Sequence, residues 1–230
     1  MFVHFGLQAI ERVPKGLRVS MRGEIPGAHE PTRRLFEKLG LQAIRYSWIM
    51  VIDLEEEPPA PQWPQDLTLC TYQDRPDLRA VYRAANDAFR DHWGHIDQPE
   101  DQAMERWRHR VENDPEFDPT LWFLLLDGEK IAAVALCHPR SPIGPDMGFV
   151  NTLGVRRPWR RRGLGLALLQ HSFGEFYRRG KKQVGLGVDA GSLTGATRLY
   201  EKAGMHVALQ IDTYELELRP GEELGTESLD

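Results

Sequence analysis

Between Val155 and Gly165 the chain runs Arg156-Arg157-Pro158-Trp159-Arg160-Arg161-Arg162-Gly163-Leu164, five arginines closing on a Gly-x-Gly. Ahead of it, MGFVNTLGV (147–155) reads as a short apolar strand. Behind it, Leu164, Ala167, Leu168, Phe173 and Phe176 recur at helical spacing. A helix that opens directly after a strand presents unpaired N–H groups and the positive end of its dipole, which together make an anion site. Glycine lets the backbone approach a phosphate closely, and arginine adds charge-assisted hydrogen bonds. The chemistry this pattern suggests is capture of a pyrophosphate.

Two plainer readings compete: a solvated basic edge on a strand-to-helix loop, or a nucleic-acid patch. The formal net charge of -5 argues against a duplex-binding face. No third glycine follows at the distance a dinucleotide fingerprint needs, and no Gly-Lys-Ser/Thr follows as in a Walker loop. A second group that could do chemistry is Asp91-His92-Trp93-Gly94-His95. Imidazoles titrate near pH 6.5 and can move protons at neutral pH. The pair His92 and His95 has no evident third metal ligand, so no metal is expected. Cys70 and Cys137 are the only cysteines, without metal-ligand neighbours or a motif that would activate a nucleophile.

The spacing Arg160-x-x-Gly163-x-Gly165 after a strand resembles the acyl-CoA loop of the GNAT acetyltransferase superfamily. Leu199-Tyr200-Glu201-Lys202-Ala203-Gly204-Met205 resembles the ending of that family's last large helix. On these two motifs, in order and correctly spaced, residues 67–218 resemble a complete GNAT domain, nearest to tandem GNAT proteins of the mycothiol-synthase type. The resemblance implies an α/β fold with a mixed, splayed sheet flanked by helices. It implies acetyl-CoA as cosubstrate, no metal, and direct transfer of the acetyl group to a primary amine of a small molecule. Arg160, Arg161, Arg162, Gly163, Leu164 and Gly165 would hold the pyrophosphate. Backbone groups of Leu153 and Val155, at a strand splay, would align the pantetheine and polarise the thioester carbonyl.

By the same resemblance Tyr200 occupies the place of the general acid beside the sulfur, where a phenol near pKa 10 can serve a thiol near 8.5. The competing reading makes Tyr200 a core aromatic. Asp189 falls where related proteins carry an acidic general base; capping a helix or binding the loop backbone is the other role for an aspartate there. Asn151 and Thr152 stand where some relatives keep a carboxylate, and neither is a strong base, which suggests a water-relayed proton path. His92, His95 and Asn151 would contact the acceptor. Ser192 stands near a position where the family often has asparagine. Two other functional classes share these motifs: a CoA-binding or regulatory module without turnover, and a protein N-acetyltransferase.

The elements that must position these residues follow from periodicity and turn signals. A strand opens at Leu67 (LTLCTYQ), followed by helices over 76–93 and 99–113. TLWFLLLD and KIAAVALC form a hairpin about Gly128-Glu129. After the arginine loop come a helix over 164–179, a strand over 182–188, a helix from about Thr194 to Lys202, and two last strands ending at Leu218. The chain also repeats itself: RLFEKLGLQAIRYSWIMVIDL (34–54) lies without gaps over RLYEKAGMHVALQIDTYELEL (198–218). Residues 1–56 therefore read as a partial, degenerate GNAT half-domain without its own Gly-x-Gly loop. It is expected to be structural, packed on the intact domain or paired with another chain in a homodimer. Residues 57–66 form a linker whose four prolines favour a stiff extended course, and 219–230 form a polar tail.

Charged residues make up 27% and hydrophobic residues 41%, ordinary for a globular protein. No apolar run approaches the roughly 20 residues that span a membrane, and MFVHFGLQAIERV has no basic leader before an apolar core. No membrane or nucleic-acid partner is expected, and the expected setting is cytoplasmic and reducing.

Overall fold

The computed structural model describes residues 10–11, 13–96, 98–191 and 195–225. Ser192, the start of the helix expected at about Thr194, the N-terminal nine residues and the end of the tail lie outside them. The elements are β1 (Val19–Pro26), α1 (Glu30–Lys38), β2 (Gln42–Asp53), β3 (Thr68–Thr71), α2 (Leu78–Ala88), α3 (Glu100–Glu112), β4 (Trp122–Asp127), β5 (Lys130–His138), β6 (Met147–Val155), α4 (Leu164–Arg178), β7 (Gln183–Asp189), α5 (Ala196–Lys202) and β8 (His206–Arg219). Among the described residues no helix is long and apolar enough to cross a membrane.

The strands form one mixed sheet in the order β1-β8-β2-β7-β6-β5-β4-β3, in which β6 and β7 are the parallel pair. The run Trp122-Phe123-Leu124-Leu125 shows how helices sandwich its centre. Trp122 and Leu124 pack with Val81, Ala84 and Ala85 of α2, while Phe123 and Leu125 pack with Leu164, Leu168, Phe173 and Phe176 of α4. A strand covered on both faces must be apolar at every position, which is why this hairpin reads as a continuous hydrophobic run. α2 starts later than expected because the Asp77 side chain accepts from Ala80 N at 2.9 Å and so caps it.

The largest departure from expectation concerns the N-terminal segment. β1 and β2 belong to the same sheet as the rest, and β2 lies between β7 and β8, antiparallel to both. Met50, 1% exposed, and Leu54 join the main hydrophobic core. The segment is thus threaded through the domain rather than laid beside it. The register explains how. Ser47 lies over Ile211 in the repeat, and these two residues are direct neighbours across β2 and β8. On either side Tyr46 pairs with Asp212 and Trp48 with Gln210. That exchange is what a local two-fold axis between the repeated units requires, with β1 on β8 mirroring β7 on β2.

The two strands expected at the C-terminal end are instead one strand of 14 residues, β8. His206–Arg219 contains no glycine, proline or asparagine to turn the chain. The sheet position beside β7 that a second strand would take is filled by β2. From β2 the chain must reach β3 at the far edge, five strand spacings of about 4.8 Å each, and the proline-rich stretch spans that distance without strand or helix.

Candidate active site

The parallel register of β6 with β7 runs from Met147↔Gln183 to Val150↔Leu186 and stops. Asn151 is the extra residue of a bulge, since Cys137 pairs with Val150 and Leu136 with Thr152. Beyond it β6 stays with β5 while Gly187, Val188 and Asp189 stay with β2, so a wedge opens between the two strands. Arg156 N donates to Ala132 O at 3.0 Å. Antiparallel alternation then makes Gly154–Val134 the next hydrogen-bonded pair and turns the N–H and C=O groups of Leu153 and Val155 away from β5, into the wedge. Arg160 Nε takes the Val155 carbonyl at 3.0 Å.

At the mouth of the wedge lies the arginine loop. Trp159 N and Arg160 N still donate to Arg156 O and Arg157 O in a 3-10 turn, and the helical ladder of α4 begins with Ala167 N to Gly163 O at 3.1 Å. From Arg161 to Leu166 no backbone N–H has a carbonyl partner among the described residues. Gly163 at φ +78° and Arg161 at φ +64° put two left-handed residues into this stretch. Such alternation gathers N–H groups into an anion-binding concavity at the positive end of α4. An L side chain at Gly163 would meet nothing within 4 Å but would be strained by that φ; at Gly165 a Cβ would come 3.1 Å from Leu199 Cδ2 of α5. The first glycine serves conformation, the second close approach of two helices.

The arginine side chains serve the loop more than a ligand. Arg157 and Arg160 both bind Asp91, a 5% exposed carboxylate at the end of α2; Arg160 Nη1 lies 2.6 Å from it and Arg160 Nη2 donates to Ala88 O at 3.1 Å. These guanidinium groups hold the Asp91 carboxyl well below the usual carboxylate range. Arg156 binds Asp87 at 2.6 Å and Arg162 binds Asp66 at 2.6 Å. Arg160 and Arg162, expected to help hold a pyrophosphate, have their side chains on Asp91 near the end of α2 and on Asp66 of the proline-rich stretch. Arg161 has no carboxylate partner among the described residues.

The wedge forms a cavity of about 610 Å³. It brings together Leu153, Val155, Arg160, Arg161, Gly163, Leu164 and Gly165 with Asn151, His92, Asp189 and Tyr200. Arg162 and His95 do not line it. Tyr200 is 7% exposed, and its hydroxyl has no hydrogen-bond partner among the described residues. Burial pushes its phenol up to about 12, so it stays protonated at neutral pH. Asp189 Oδ1 accepts from Gly191 N at 2.9 Å and Oδ2 from Arg45 Nε at 2.6 Å. Both its oxygens are engaged, the loop-binding role the sequence held open. His92 is half-buried, stacked on Phe89 with ring centroids 4.3 Å apart. Its burial first, then the Arg160 charge, lowers its pKa. Cys137 is sealed in the core and pushed up to about 12 by burial, and desolvation raises Cys70 as well, so neither thiol is activated.

Asp87, Arg45 and the pairing of Asp91 with the arginines escaped the sequence. Asp91 and Asp87 could have been matched to them as carboxylates at a helix end awaiting a cluster of arginines. Arg45 had no such signal, because its strand was assigned to a separate half-domain. It comes from β2, holds Asp189, donates to Gly191 O at 3.3 Å and lies 4.7 Å from the Trp93 ring centroid.

The chain belongs to the GNAT acetyltransferase family. The profile of the Acetyltransferase (GNAT) family matches residues 78–205, from the start of α2 to just past α5. Within that family it is similar to the mycothiol acetyltransferase of Catenulispora acidiphila, 30% identical over 200 residues that cover 85% of this chain and 60% of that protein. The mycothiol acetyltransferase of Thermobispora bispora is 32% identical over 199 residues, covering 83% and 62%. The chain thus spans about three-fifths of the length of these relatives. Among solved structures, a GCN5-related N-acetyltransferase from Sphaerobacter thermophilus matches with a TM-score of 0.77 at 37% identity, over 95% of this chain and 66% of that one.

Proposed function

We propose that the protein transfers an acetyl group from acetyl-CoA to a primary amine of a small molecule, by direct attack on the thioester. One observation carries this reading: Arg161 and Gly163 to Leu166, whose N–H groups are unpartnered, line the same cavity as the Leu153–Val155 edge and Tyr200. The N–H groups and the α4 dipole would bind the pyrophosphate, with Arg161 as the added cation. The free N–H groups of Leu153 and Val155 would align the pantetheine and stabilise negative charge on the thioester oxygen. Tyr200 would steady the leaving sulfur. With its phenol at about 12, outright transfer of its proton to a thiolate near 8.5 is uphill by roughly 5 kcal/mol. Tyr200 is therefore better suited to donate a hydrogen bond to the developing thiolate than to surrender its proton.

The names of the relatives favour a small acceptor. We read residues 19–53 as a partial copy of the unit at 183–219, retained because β2 completes the sheet and brings Arg45 to the site. The test is thiol release from acetyl-CoA with a panel of amino acids, amino sugars and alkylamines. Turnover with one class, and none with a lysine-containing peptide, is expected; turnover with the peptide alone would replace the small molecule by a protein acceptor.

A further inference from the structure

We propose that His92 is the proton acceptor for the attacking amine, an inference that rests on the acyltransferase reading above. The ionisable groups around the cavity leave few candidates. Arg45, Arg160 and Arg161 offer only donors, and Tyr200 remains protonated. Asp91 is closed off by Arg157 and Arg160. Asp189 has one oxygen on Gly191 N and the other on Arg45. Asn151, at the bulge, cannot take a proton. His92 differs from all of these: it lines the cavity, neither ring nitrogen has a hydrogen-bond partner among the described residues, and the ring packs on Phe89 at a tilt of 38°.

The groups facing it explain its two states. Desolvation and the Arg160 charge keep the imidazole neutral at pH 7, while Asp91 and Asp189 favour the cation; His95 on the same loop opposes it. The two carboxylates thus offset part of the charge of a proton once it arrives. In the step itself the amine nitrogen bonds to the carbonyl carbon and the carbonyl pair moves to oxygen. His92 removes one proton from the now positive nitrogen. As the carbonyl re-forms, the C–S bond breaks and its electron pair stays on sulfur, hydrogen-bonded by Tyr200. The thiolate takes up a proton and His92 releases one, so amine and thioester give amide and thiol with no other reactant.

The experiment is a pH–rate profile of wild type, His92→Gln and His92→Ala, using the best wild-type acceptor from the amine panel. Wild-type kcat should show an acidic limb centred below 6.5, separate from the rise at higher pH where the acceptor ammonium loses its proton, because the neutral imidazole is the active form. His92→Gln should lower kcat by about 10²-fold or more, lose that acidic limb, and keep the wild-type KM for acetyl-CoA. Added imidazole should restore part of the activity of His92→Ala. Wild-type kcat in His92→Gln, or a reduced kcat whose acidic limb persists and which imidazole does not restore, overturns the assignment. A wild type that binds no acetyl-CoA and acetylates no amine brings down the acyltransferase reading itself.

Discussion

Tyr200 and Asp91 are both buried, polar and line the same cavity, yet they call for opposite outcomes on substitution. Tyr200→Phe keeps the packing and removes only the hydroxyl. It should lower kcat by about 10²-fold while leaving acetyl-CoA binding intact, measured by thiol release and by titration of the cofactor. Asp91→Asn leaves Arg157 and Arg160 without their shared anion; both guanidinium groups reach solvent, so the loss should be about 1–3 kcal/mol, the range of hydrogen bonds to a charged group. The loss should be read in chemical denaturation. Asp91 has its folded pKa depressed below 3.8, so its stabilisation is complete above that value and disappears as pH falls through the folded pKa. Tyr200 and the glycines were legible because each sits at a fixed distance within a local motif. The fate of the arginines was not, because their number suggested a ligand while their partners, Asp66, Asp87 and Asp91, lie far away in sequence.

Most helices and strands end near where periodicity and turn residues place them, since those signals act over a few residues. β8 is the exception: nothing breaks it, and what was missed is that another strand had taken the place reserved for its second half. The junction of α4 and α5 carries a sharper consequence. Gly165 has only 3.1 Å between a Cβ position and Leu199 Cδ2, and Leu199 precedes Tyr200 in α5. Gly165→Val should push α5 outward, reducing kcat and weakening acetyl-CoA binding together. Unchanged kinetics with an unchanged melting temperature would mean that the two helices are not coupled through this contact.

Across the whole molecule, residues 42–51 and 206–215 pair about Ser47 and Ile211, so the N-terminal strands are members of the sheet that carries the cavity. The likeness of residues 34–54 to 198–218 was visible in the sequence, but the pairing of the strands was not, because β2 and β7 join residues more than a hundred positions apart and leave no periodic trace. A chain beginning at Gln65 would lack β2, exposing the edges of β7 and β8, and should aggregate; a soluble, equally stable product would contradict the threading. A gentler version is Met50→Ala, expected to cost about 2–5 kcal/mol. Glu215, 7% exposed and held by Arg18 and Arg22, ties β1 to β8. Its carboxyl is held down at about 2 against 4.5. Its stabilisation is therefore present above pH 4.5 and fades toward pH 2, where acid unfolding should begin at the β1 edge.

The acyltransferase reading depends on the loop between β6 and α4 being a pyrophosphate cradle. Thermal unfolding with and without acetyl-CoA, for the wild type and Gly163→Glu, tests that most directly. At about one hundred times its dissociation constant acetyl-CoA should stabilise the wild type by roughly 2.7 kcal/mol. It should do nothing for Gly163→Glu, whose carboxylate would stand among the N–H groups meant for phosphate. No stabilisation of the wild type, or equal stabilisation of both proteins, would contradict the cradle.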